Sequence, residues 1–280
     1  LLVLTALPAA RAWGELGHRT VGYLAEKYFT DEASTMVSEL LANDRGYDIS
    51  DAALWADSVR RRKGYTHTGP WHYIDAEDKP PKQCGVKYNR DCKPEEGCVV
   101  SAIANMTTRL LNTTLPSDQH KESLMFIIHF IGDIHQPLHT EALDRGGNEI
   151  HACFDSHCGK KENLHSIWDK DIPHKMRGLP SSEGDDVELK GAAKEWADEL
   201  FGKNEAREEC TASEWKGAED CALEWAGESN KYVCDYVLKK GKPWIESHDL
   251  GVEYFKGAVP VVNELVGKAG ARLGAYINAL

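Results

Sequence analysis

The segment Phe126-Ile127-Ile128-His129-Phe130-Ile131-Gly132-Asp133-Ile134-His135-Gln136-Pro137-Leu138-His139 is apolar enough for a core, yet it carries histidines and an aspartate. Polar groups in such surroundings need partners. At 3.6 residues per turn, His129 and Asp133 stand one turn apart on one helix face, and Pro137 ends the helix so that His139 can fold back toward them. The spacing recurs in Asn163-Leu164-His165-Ser166-Ile167-Trp168-Asp169, where His165 and Asp169 are again i and i+4. Imidazole nitrogen and carboxylate oxygen are the mix that zinc accepts, so the two turns predict a multinuclear metal site. Four other places offer ligands: the amine and carbonyl of Trp13, then His18, Asp57 and His72. A lone histidine beside aromatics is more often a hydrogen-bonded core residue, and a lone aspartate near a helix start a cap; joint order and spacing carry the metal reading.

The elements that must position these residues read as helices. Apolar residues recur at helical spacing in Val21, Leu24, Ala25 and Tyr28, and in Met36, Leu40 and Leu41 after a capping-type Thr30-Asp31, while strand alternation is nearly absent. The expected fold is all-α, a mostly helical single domain. Further helices are expected over about 51–61, 98–113, 117–135, 163–175, 187–201, 210–227, 230–247 and 251–277, the last bent or interrupted by Pro260. The stretch 64–97 reads as a long irregular loop that needs staples.

Residues 1–12 end a short apolar run with Ala10-Arg11-Ala12, an A-x-A cleavage pattern, and read as a partial signal peptide; residues 13–280 would be the mature domain, with Trp13 as its new N-terminus. No stretch has the roughly twenty apolar residues of a membrane span, so a secreted chain without membrane attachment is expected. Eight cysteines suit four disulfides in that setting. Asn105-Met106-Thr107 and Asn112-Thr113-Thr114 are N-glycosylation sequons. The formal net charge of −12 argues against a broad basic groove for duplex DNA, although bound divalent cations would reverse the sign of a local pocket.

Taken together, Trp13-Gly-x-x-Gly-His18, Ala56-Asp57, Trp71-His72-Tyr73-Ile74-Asp75, the His129 to His139 segment, Asp144-Arg-Gly-Gly-Asn148 and Asn163-Leu-His165-x-x-Trp-Asp169 stand in one order. In this the chain resembles the S1/P1 group of secreted, single-strand-specific zinc nucleases of fungi and plants. The resemblance covers nearly all of residues 13–280 and implies three zinc ions at the bottom of a cleft in an all-α fold. One zinc would take Asp57, His72, His129 and Asp133, and the second His139, His165 and Asp169. The third would take the Trp13 amine and carbonyl, His18 and the other oxygen of Asp133. Arg60 falls where the family contacts phosphate, although many members carry Lys there, and it also belongs to the run Arg60-Arg61-Arg62-Lys63. Asn148 matches the family's contact to phosphate and transition state; a plain turn with a left-handed asparagine is the structural alternative. Tyr73 and Asp75 match its base site, an aromatic ring for stacking and a carboxylate for a base edge, and unpaired bases expose the face such a ring needs. His135 points to another helix face and is read as a supporting residue. The resemblance implies Cys84–Cys234 and Cys92–Cys98; local pairing of Cys153–Cys158 and Cys210–Cys221 is the low-strain expectation for the rest.

The expected function is hydrolysis of single-stranded RNA and DNA to 5′-mononucleotides with removal of 3′-phosphates, by a monomeric enzyme. Two rivals are a zinc phospholipase C of the same fold and a non-catalytic secreted zinc-binding protein. The first needs an apolar approach to lipid, of which the sequence shows no obvious stripe. The second has no use for Asn148 or Arg60. A disulfide-rich structural module with coincidental ligands is a third.

Overall fold

The computed structural model describes residues 13–41, 47–159, 162–180, 184–203 and 215–280, and among these it contains helices and isolated bridges but no sheet. The expected signal peptide and Cys210 lie outside the described residues. Helix α1 (Gly14–Glu26) is buried along nearly its whole length and packs against α3 (Ile49–Val59), α6 (Ser117–Asp133), α9 (Asp186–Leu200) and α12 (Glu253–Asn278). A helix buried on nearly every side lies at the centre, and His18 rides on it into the interior. Helix α2 (Asp31–Leu41) buries Ala33, Val37 and Leu41, one stripe at i, i+4 and i+8, against α6 and α12.

Helix α3 starts at a capping box in which Asp48 accepts from the Ser50 and Asp51 amides, and Asp51 answers the Asp48 amide. The segment after it is less irregular than expected. It holds a 3-10 turn, Thr66–His72, and the short helix α4 (Tyr88–Asp91), and it is stapled by Cys84–Cys234 and Cys92–Cys98. Helix α5 (Val99–Leu111) packs on α6, whose residues Ser123 to Asp133 are all buried. A second 3-10 turn, Pro137–Thr140, follows α6. Next come α7 (Leu164–Ser166), a wide π turn over Ile167–Asp171 and α8 (Ile172–Met176), one path where a single helix was expected over 163–175.

One expectation is corrected, and of the two readings for Pro260 the interruption is set aside. Helices over 210–227 and 230–247 were expected, but α10 (Trp215–Tyr232) runs on through a π turn, Val233–Val237, and only then gives way to α11 (Lys242–Ser247). Ser229 and Asn230 at the expected break are fully buried, while the actual break falls at Gly241, φ 79°, with Pro243 in the next first turn. Pro260 lies inside α12 without interrupting it. Burial of Ala258, Val262, Leu265 and Val266 on either side outweighs the one backbone hydrogen bond that proline removes. The third disulfide joins Cys153 and Cys158, as the local pairing anticipated.

Candidate metal centre

His129 and Asp133 stand on the last turns of α6, and Asp57 is near the end of α3. His72 closes the first 3-10 turn and His139 lies in the second. His165 lies in α7 just before the π turn and Asp169 lies within it, a distortion common at functional sites. His18 comes from α1. The buried Trp13 precedes that helix, and the adjoining backbone at Gly14 is so close to the Asp169 carbonyl that a Cβ there would stand 2.9 Å from it. Every expected ligand is thus drawn toward one region.

All of them but Trp13 fall into three groups whose donor atoms are close enough for an ion: His18, His129 and Asp133; Asp57, His72 and His129; His139, His165 and Asp169. Asp133 joins the first two. Its Oδ1 lies 3.2 Å from His18 Nε2, and its Oδ2 lies 3.0 Å from His72 Nδ1 and 3.2 Å from His129 Nε2. Asp57 Oδ1 is 3.8 and 3.9 Å from the same two nitrogens. In the third group the Nε2 atoms of His139 and His165 are 3.1 Å apart, and Asp169 Oδ2 is 3.2 Å from His165.

Backbone carbonyls fix how these rings present their lone pairs. His129 Nδ1 donates to Ala53 O at 2.6 Å, His139 Nδ1 to His72 O at 2.7 Å and His165 Nδ1 to Gly146 O at 2.6 Å. A carbonyl only accepts, so in each neutral ring the proton is on Nδ1 and Nε2 carries the lone pair. Two such lone pairs facing across 3.1 Å repel unless a proton or cation serves both. His18 Nε2, Asp57 Oδ1, His72 Nε2 and Asp133 Oδ1 are buried without a hydrogen bond among the described residues, which costs free energy unless another partner holds them. The donor set therefore fits metal ions.

Electrostatics agree. Burial pushes His139 down to about 3 and lowers His18 and His72, favouring neutral, ligating imidazoles. At His129 burial acts the same way, but the Asp133 and Asp57 charges outweigh it and raise the ring. Burial would raise Asp133, yet His129, His18 and His72 hold it well below the carboxylate range, and Asp57 is likewise lowered by His129 and His72. Asp169 is raised by burial. Three carboxylates buried together demand cationic company beyond the one arginine beside them.

That arginine is Arg60, whose Nη1 lies 3.3 Å from Asp57 Oδ1. Burial raises the Tyr73 hydroxyl, Asp75 and Glu96 raise it further, and Arg145 and Arg60 act against them, which sets Tyr73 and Asp75 on the same side of the molecule as Arg60. Tyr73 is exposed and Asp75 half-buried, as a stacking ring and a base-edge acceptor require. Asn148 is half-buried and donates through Nδ2 to Arg145 O at 2.8 Å; the left-handed residues of its turn are Asp144, Arg145, Gly146 and Gly147, not Asn148 itself. A Cβ on Gly146 would stand 2.5 Å from Leu138 O, so glycine there serves the approach to Leu138 and His165. His135 takes no part: it donates to Ile131 O and accepts from Arg272 at 2.9 Å.

One supporting residue was missed. Gln136 donates through Nε2 to Asp169 Oδ1 at 2.6 Å and accepts the Leu138 amide through Oε1 at 2.6 Å, so it both caps the turn that returns His139 and aims Asp169. A polar amide just before a helix-ending proline, inside an apolar segment, was the available signal.

Comparison with known proteins now bears on this geometry. Residues 13–280 match the family model described as S1/P1 Nuclease. Nuclease S1 of Aspergillus oryzae is 37% identical over 275 residues, 96% of this chain and 91% of the relative. Nuclease P1 of Penicillium citrinum is 36% identical over 279 residues, 96% and 97% of the two chains, and Endonuclease 2 of Arabidopsis thaliana is 36% identical over 298 residues, 99% and 93%. With that match running from the buried Trp13 to the last residue of the chain, the protein belongs to the S1/P1 nuclease family.

Proposed function

We propose that this nuclease is a secreted, zinc-dependent hydrolase that cuts single-stranded RNA and DNA to 5′-mononucleotides and removes 3′-phosphates from nucleotides, using three zinc ions. The observation that carries the reading is the Asp133 carboxylate, whose two oxygens face different imidazoles, beside the facing Nε2 atoms of His139 and His165. Asp57, His72, His129 and Asp133 would hold one ion, His139, His165 and Asp169 the second, and His18, Asp133 and the Trp13 amine and carbonyl the third. Bound there, the ions would polarise the phosphoryl group and make hydroxide available near neutrality.

The chain's own residues do the rest. Ala53 O, His72 O and Gly146 O orient His129, His139 and His165, and Gln136 orients Asp169. Arg60, already paired with Asp57, offers its guanidinium to a phosphate, and Asn148 gives up its bond to Arg145 to donate to a phosphoryl oxygen. Tyr73 stacks on an unpaired base while Asp75 accepts from its edge; a duplex has neither face free. Cleavage after Ala12, with residues 13–280 as one mature domain, would free the Trp13 amine, which supports tying activity to processing. Among the described residues no helix is long and apolar enough to cross a membrane. Exposed Asn112 suits a glycan better than half-buried Asn105.

The test uses the chain beginning at Trp13. We expect about three zinc per chain, release of 5′-mononucleotides from single-stranded DNA, loss of both with a chelator and recovery with zinc. His129→Ala should lose zinc and turnover with its helix content kept. Turnover of a choline phospholipid with none of DNA, or stoichiometric zinc with no phosphate ester cleaved, would overturn the reading.

A further inference from the structure

Outside this centre, three oxygen-bearing side chains meet from separate parts of the chain. The Ile74 amide donates to His139 O at 2.9 Å and the Ala142 amide to Ala76 O at 3.2 Å, which lays the segment after Tyr73 alongside the segment after His139. That pairing brings Asp78 to Glu141, and a carboxylate oxygen of each lies within 4.8 Å of the other. Each carboxylate spends one oxygen on a backbone amide: Asp78 Oδ2 accepts from Gly85 at 2.9 Å, and Glu141 Oε1 from Leu143 at 2.8 Å. The remaining oxygens, Asp78 Oδ1 and Glu141 Oε2, are buried with no hydrogen bond among the described residues. Glu141 as a whole is 2% exposed.

Asn230, on α10, supplies a third such atom. It is 0% exposed, gives Nδ2 to Thr140 O at 2.8 Å and abuts the Asp78 carboxylate, and its Oδ1 has no donor among the described residues. Cys84 Sγ is also within 4.8 Å of the two carboxylates, but it is committed to Cys234. Two carboxyl groups and an amide thus keep buried oxygens that lack donors among the described residues, and burial with the Asp78 charge raises Glu141 to about 8, so that a shared proton or a bound cation must sit between the pair.

We propose that Asp78, Glu141 and Asn230 form a second kind of metal site, all oxygen, for a calcium ion. Calcium takes carboxylate and amide oxygens in irregular geometry, whereas zinc prefers the nitrogen-rich groups described above. The ion would tie three pieces together: the loop that follows Tyr73 and Asp75, the segment leaving His139, and α10. It would sit beside the Cys84–Cys234 disulfide, which joins two of those same pieces.

The test is calcium binding to the zinc-loaded chain, read by equilibrium dialysis and by thermal unfolding rather than by turnover, so that failure of the zinc reading would leave it unaffected. We expect one calcium retained per chain and, at calcium about a hundredfold above its dissociation constant, a melting temperature raised by about 5 °C. Glu141→Gln and Asp78→Asn should each lose the bound calcium and the rise; both keep an oxygen for the Leu143 or Gly85 amide and relieve charge repulsion, so they should fold. Asp169→Asn, in the imidazole centre, should keep both. No retained calcium, as expected if the two carboxyls merely share a proton, or retention undiminished in Glu141→Gln and Asp78→Asn, would overturn the proposal.

Discussion

At the residue scale, the centre depends on contacts with no slack. A Cβ on Gly132 would stand 2.8 Å from His18 Nδ1, and that ring is stacked on His129 at 4.0 Å between centroids. Gly132→Ala therefore cannot be absorbed by a flexible side chain. It should displace His18 alone, lowering zinc from three to two per chain and activity by about 10–100-fold, with metal analysis and turnover as the measurements. A full complement of zinc in that variant would show that His18 is not a ligand. Gln136→Ala should weaken the His139, His165 and Asp169 group through Asp169, again by about 10–100-fold in metal affinity. The pairs His129 and Asp133, and His165 and Asp169, were legible because i, i+4 spacing in a sequence is already a distance in a helix. Gln136 and Gly146 were not, since each acts on a partner 33 or 19 residues away.

At the scale of elements, three helices are clamped by one arginine. Arg19, 4% exposed on α1, donates to Ser50 and Asp51 of α3, each at 2.9 Å, and to Asp186 of α9; Lys190 of α9 reaches Asp51 at 2.8 Å. Burial would raise the Asp51 carboxyl, but the Lys190 and Arg19 bonds outweigh it and hold it below its ordinary 3.8. A carboxyl lowered on folding stabilises the fold above its unfolded value and loses that contribution as pH falls through the folded one. Asp51→Asn should therefore cost about 1–3 kcal/mol at neutral pH, read from the urea midpoint, and the gap to the unsubstituted chain should close below about pH 4. A gap that persists in acid would point to the helix cap rather than the charge. Helices such as α1 and α6 were visible in the sequence because apolar periodicity and burial coincide. The join of α10 to α11 was misjudged because Glu228-Ser229-Asn230 reads as a polar break, while tertiary contacts bury Ser229 and Asn230 inside the helix. The π turn that carries Asp169 leaves no trace in periodicity at all.

For the whole molecule, the question is how a chain of formal net charge −12 meets a polyanion. Composition alone showed the repulsion and argued against a broad basic groove; it could not show which basic residues stand beside the centre. Arg60 closes α3 beside Asp57, and the exposed Arg61, Arg62 and Lys63 follow it in the chain, so a short basic strip runs on from the one side chain that touches the imidazole centre's Asp57. Ionic strength separates the two fields. At about 10 mM salt the screening length is about 30 Å and the whole negative molecule opposes approach, whereas at about 150 mM it is about 8 Å and only the strip and the centre are felt. The value of kcat/KM on single-stranded DNA should consequently stay flat or rise a few-fold across that range. A nuclease that grips several phosphates in a basic groove behaves oppositely, losing about three orders of magnitude of affinity as salt rises. Initial rates on an oligonucleotide long enough to leave the cleft at both ends, measured at fixed zinc, decide it: a steep fall with salt would mean that binding is spread over many phosphates, and that recognition does not rest on the few residues around Tyr73, Asp75 and Arg60.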